Sequence, residues 1–107
     1  MRTASLRHKV RFQELGTDTD DFGEPSSEWE DIEQPYQYVQ IIPLNGSEKY
    51  QSKHLNAEVN HKIRMRYRAG LNSSMRVVYG ERIFEIDAVL NVYERDRELH
   101  IMVVEVV

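Results

Sequence analysis

The chain has 107 residues, 40% of them hydrophobic and 30% charged, with a formal net charge of −4. That length suits a single domain over residues 1–107, and the composition is that of a folded chain rather than a disordered one. The absence of cysteine excludes disulfides and thiolate metal sites, and the net negative charge excludes a general attraction to DNA or acidic membranes, so any nucleic-acid contact must come from a local patch.

The chain opens MRTASLRHKV, which lacks the apolar centre of a signal peptide, and no apolar run approaches a membrane span; a soluble cytoplasmic protein is expected. Residues 6–14, LRHKVRFQE, alternate: Leu6, His8, Val10 and Phe12 share one face, and Arg7, Lys9, Arg11 and Gln13 the other. This is the pattern of a half-buried strand. GTDTDDFGEPSS follows as a long polar loop with little apolar surface to offset its ordering entropy. Its DTDDFGE stretch resembles an oxygen-rich calcium loop, but the order of acids and the flanking strands are wrong for one, so it is read as a solvated hairpin loop.

EWEDIEQPYQYVQIIPL reads as an interrupted strand in which Pro35, lacking an N–H, marks an edge, a bend or a bulge. Tyr36, Tyr38, Gln40, Ile42 and Leu44 fall on one face, Val39 and Ile41 on the other. NGSEKYQSKHL is the best helix candidate, capped by Asn45 or Ser47 with Glu48 in the first turn. EVNHKIRMRYR alternates cleanly, with Val59, His61, Ile63, Met65 and Tyr67 inward and Asn60, Lys62, Arg64, Arg66 and Arg68 outward. MRVVYGERIFEI predicts a strand, a turn at Gly80 and another strand, whose apolar face is Phe84, Ile86, Ala88, Leu90 and Val92. ERDRE is a charged tight turn. LHIMVVEVV is a last strand, apolar on both faces near its end, which either lies in the core or pairs with another chain. The expectation is a mainly β fold: a small antiparallel barrel or sandwich of about six strands, with one short helix and a long acidic loop.

Charge is unevenly placed. Glu14 to Glu33 holds nine acids and no Lys or Arg, whereas residues 62–82 hold six bases. Separated zones of this kind can pair copies head to tail, or they can simply be solvated. Arg64, Arg66 and Arg68 share one strand face, where they could meet phosphates, water or a neighbour's acids. Stacking platforms need aromatics on the binding face. Tyr67 is placed on the opposite face, which weakens a nucleic-acid reading. The candidate subunit or partner interface is Arg64, Arg66, Arg68 and Arg76 with Glu28, Glu30 and Asp31.

No nucleophile elbow, phosphate loop or compact metal-ligand spacing is present, so neither catalysis nor a cofactor is expected. His8 and His61, on apolar faces, are read as core or interface residues hydrogen-bonded to backbone rather than ligands.

The order of LRHKVRFQ, DFGE with Trp29, PLNGSE, IRMRYRAG, MRVVYGERIFEI and NVYER resembles the tailed-phage head–tail joining family, also called head closure or stopper proteins. The resemblance runs over nearly the whole chain. It implies a small β-barrel with a short helix that forms a ring, usually of twelve copies, on the adaptor and portal. Such a ring presents a docking surface for tail proteins and helps retain DNA that passes without sequence-specific binding. The implied location is the head–tail interface of the virion, with the host cytoplasm as the site of assembly. Family members carry a flexible loop near the channel. The candidates are Gly16–Ser26, with Asp18, Asp20, Asp21 and Phe22, and the Asn45–Asn56 segment. The alternative left by the residues alone is a small OB-like barrel holding nucleic acid on its basic strand face.

Overall fold

The computed structural model describes residues 6–16, 28–44 and 58–106. Six strands run β1 (His8–Leu15), β2 (Trp29–Pro43), β3 (His61–Arg66), β4 (Arg76–Tyr79), β5 (Arg82–Asn91) and β6 (Glu98–Val106). They close into an antiparallel barrel in the order β1-β2-β3-β6-β5-β4, with β4 returning to β1. The expected β-barrel is thus the observed architecture. Among the described residues the helical content is one 3-10 turn at Val92–Glu94. The helix expected over residues 45–55 lies outside the described residues.

Strand alternation builds the core. Every strand sends its inward residues to one cluster: Val10 and Phe12, Val39, Ile63 and Met65, Val77, Phe84 and Ile86, then Leu99, Ile101 and Val103, with Met75 beside them. The small barrel interior is filled by these side chains. β6 sits between β3 and β5, and Leu99, Ile101 and Val103 of its apolar sequence lie in the core, while Val106 is 47% exposed.

Two irregularities redirect side chains. In β2, Arg11 faces Tyr36 while Gln13 faces Asp31, so four residues, 32–35, oppose Phe12 alone. Gln34 there has φ 52°, and Pro35 supplies no ladder donor. The break that Pro35 signals is therefore a wide bulge. In β5, Ile86 faces Val103 but Ala88 faces Met102, which leaves Asp87 as an extra residue. One extra residue swaps the faces. Val89 consequently packs on the core and Leu90 is 46% exposed, the reverse of strict alternation.

The β4–β5 hairpin turns on Gly80 and Glu81, with Tyr79 facing Arg82. Gly80 has φ +59°, the left-handed conformation that the first position of such a turn requires and glycine adopts without strain. The charged turn before β6 places Tyr93, Glu94 and Asp96 at φ 55°, 54° and 54°. The Asn91 side chain holds it, donating to Asp96 Oδ1 at 2.7 Å and accepting the Asp96 N–H at 3.2 Å.

Candidate functional site

The basic face of β3 is tied into its own barrel. Register places Gln40, Arg64 and His100 side by side across β2, β3 and β6. The Arg64 guanidinium pairs with the Glu98 carboxylate and donates to Gln40 Oε1 at 3.2 Å. His100 Nε2 lies 3.4 Å from the same Glu98 oxygen. The hydrogen bond from Arg64 holds the Glu98 carboxyl below its ordinary value. Burial, and next the charge of Lys62, pull the His100 imidazole below its ordinary value. At the other end of β6, Glu105 accepts two hydrogen bonds from Arg82, at 2.6 and 3.0 Å, and its carboxyl is lowered by them.

These shifts set a direction for acid sensitivity. Folded Glu98 and Glu105 bind protons less readily than they do in the unfolded chain. Their stabilising contribution is complete above pH 4.5 and disappears as pH falls through the lower folded values. Replacing Glu98 with Gln should lower the urea midpoint at pH 7, by about 1 kcal/mol in stability for a half-buried ion pair. The gap from wild type should close in strong acid. A gap independent of pH would show that the carboxylate charge is not what stabilises this corner.

Arg68 and Arg76 lie elsewhere. Arg68 is past the end of β3 and donates to the Glu33 carbonyl at 2.8 Å, capping a stretch of β2 that β3 does not reach. Arg76 is on β4, which is not a neighbour of β3. Its Nε donates to Gln13 Oε1 at 2.8 Å, and its guanidinium carbon sits 4.5 Å from the Trp29 ring centroid. Gln13 in turn donates to Asp31 Oδ1 at 2.8 Å, and Asp31 lies 3.6 Å from Arg11. So Arg64 and Arg66 share the outer face of β3 as expected, Arg68 and Arg76 lie apart from them, and Asp31 already has an arginine partner within the chain. Glu28 and Glu30 are exposed at the start of β2. Asp18, Asp20, Asp21 and Phe22 lie outside the described residues.

Tyr67 departs from the inward position that alternation gives it. β3 ends at Arg66, the Tyr67 N–H donates to the Arg97 carbonyl at 3.0 Å, and the Tyr67 side chain is 40% exposed. More aromatic surface comes from β2, where Tyr36 and Tyr38 are 56% and 55% exposed. The Lys9 ammonium is 4.8 Å from the Tyr36 ring centroid. Arg66 lines two shallow grooves, one with Leu6, Tyr36 and Tyr38, the other with Tyr67, Asp96 and Arg97. Alternation around buried Val39 already puts both tyrosines on one face. What it leaves open is which face is wet.

The histidines on apolar faces are packed. His8 Nδ1 accepts the Ile41 N–H at 3.4 Å, and its ring meets Tyr79 edge-on at 5.2 Å. His61 stands edge-on to Phe84 at 5.4 Å, with Nδ1 2.8 Å from Asn60 Oδ1. Among the described residues no group of three His, Asp or Glu side chains could hold a metal ion.

Similarity searches add what geometry alone does not supply. A solution structure of protein SF1141 from Shigella flexneri 2a is similar, with 24% identity over 98% of this chain and 96% of that one and a TM-score of 0.78; this likeness is one of fold. No curated protein matches the chain. A family model described as phage head completion protein matches residues 1–106. The chain therefore belongs to the phage head completion protein family, structural components of the phage head and not enzymes.

Proposed function

We propose that the chain completes the DNA-filled head by forming a ring on the portal and its adaptor, closing the DNA channel and presenting the surface on which the tail docks. The observation that carries this reading is the family match over residues 1–106, essentially the whole chain. A closed barrel with a filled core is a suitable rigid building block. The twelvefold ring belongs to this proposal, as does the location at the head–tail interface. So does the acidic loop with Asp18, Asp20, Asp21 and Phe22 as a channel segment past which DNA slides.

Deleting the gene is the test. Particles without the chain are expected to accumulate as tail-free heads that lose their DNA, with infectious titre falling by orders of magnitude. Normal tailed particles of unchanged titre would refute the reading.

A further inference from the structure

The β1–β2 ribbon carries two patches of opposite character. The first is formed by Lys9, Tyr36 and Tyr38 with Arg66 beside them. Lys9 faces Tyr38 in register, and Arg66 lies where the two grooves meet. Tyrosine and arginine supply much of the binding energy of protein interfaces, and tyrosine is cheap to order.

The second patch is at the other end of the ribbon. Glu14 and Glu30 are direct cross-strand partners, and both are exposed. Like charges placed so oppose pairing. No ion pair relieves either carboxylate among the described residues. Barrel neighbours do not reach this end: β3 meets β2 over Gln40–Pro43, and β4 meets β1 over Arg11–Gln13. The ribbon thus leaves the closed part of the barrel and carries the two acids outward, next to Leu15, which is 45% exposed.

We infer that the acidic end of one copy's ribbon docks on the Tyr36–Tyr38–Arg66 patch of a second copy. The second copy is chosen by charge complementarity, because the chain itself supplies the acidic surface that the patch fits. The two patches differ, so the contact is heterologous: each copy gives one end and receives another, and the contact propagates until rotation closes it. This inference rests on the ring reading and gives it an interface. Nucleic acid fits the patch less well. Arg11 and Arg64 on the same side are each held by a carboxylate, so a row of phosphates would find no matching row of cations, whereas the docking end brings two acids.

The chain has no cysteine, so paired thiols can be introduced cleanly. Leu15→Cys and Gln37→Cys flank the two patches and leave the tyrosines and acids in place. In phage particles carrying the double variant, a short bismaleimide should give a ladder of dimers and higher oligomers. Particles with either single variant should give none. Arg66→Glu should cut the number of copies per particle at least tenfold while circular dichroism stays that of the wild type. Adding Glu14→Arg and Glu30→Arg to that chain should restore incorporation. Particles that contain the thiol variant but yield no ladder overturn the docking and leave the ring reading standing. Particles that lack the wild-type chain overturn the ring reading, and the docking with it. Salt-dependent binding of short DNA by the wild type, lost on replacing Tyr36 and Tyr38 with Ala, would assign the patch to nucleic acid and overturn the proposal.

Discussion

Phe84→Ala is expected to destabilise the barrel by about 3–5 kcal/mol, the usual cost of removing a fully buried phenyl ring. Phe84 has no exposed surface, and its β5 neighbour inside the core is Ile86. The His61 ring meets it edge-on at 5.4 Å, and the Arg82 guanidinium lies 5.0 Å from its centroid. Truncation therefore loses the transfer term, leaves a cavity, and strips an aromatic partner from His61. A domain of this size has a total stability of about 5–15 kcal/mol. One such change consumes a large share of it and lowers the melting temperature by about 4–8 °C per kcal/mol. Phe84→Leu refills most of the volume and should cost much less. Urea denaturation monitored by circular dichroism measures both. A loss below about 0.5 kcal/mol for the alanine variant, the range of ordinary surface changes, would mean that the β5 face is not packed as described.

Gln13→Leu is the second large effect, at about 1–3 kcal/mol. Gln13 is the buried polar residue of the described chain, 7% exposed. Its amide is bifunctional: the oxygen accepts from Arg76 and the nitrogen donates to Asp31. Leucine keeps the approximate volume but satisfies neither partner, so a guanidinium and a carboxylate each lose a hydrogen bond in a half-buried site. Arg76 also stacks on Trp29, the chain's one tryptophan. Tryptophan emission therefore reports the clasp directly and should shift to the red in the variant at denaturant concentrations where the barrel is still folded. An unchanged spectrum with unchanged stability would show that the three strands are held without this bridge.

Much of the barrel was legible in the sequence because alternation is a local property. Leu6, Val10 and Phe12, and Val59, Ile63 and Met65, go inward as their spacing dictates. Pro35 announced the break in β2 because its missing N–H is visible in the residue itself. The bulge at Asp87 carries no such mark. It arises from pairing with β6, a partner distant in sequence, and so Val89 and Leu90 exchange the faces that strict alternation assigns. Tyr67 was misplaced for a related reason: the ladder that would hold it inward stops at Arg66.

The candidate surface was less legible. Arg64, Arg66, Arg68 and Arg76 look like one basic stretch in the chain. Barrel closure sends Arg76 to a strand that does not adjoin β3, and long-range partners engage the others, Glu98 for Arg64 and the Glu33 carbonyl for Arg68. None of those partners is local in sequence. The exposed pair Tyr36 and Tyr38 was visible as one face of a strand, but only the closed barrel decides that this face is outside.

Adding the purified chain to DNA-filled heads that lack it tests most directly the claim that it completes the head as a non-catalytic part. The account predicts that DNA retention and tail attachment rise with the amount bound and saturate at a fixed number of copies per head, with no nucleotide or cofactor supplied. Heads that leak DNA and refuse tails at saturating chain, or that need no chain to do neither, would contradict it.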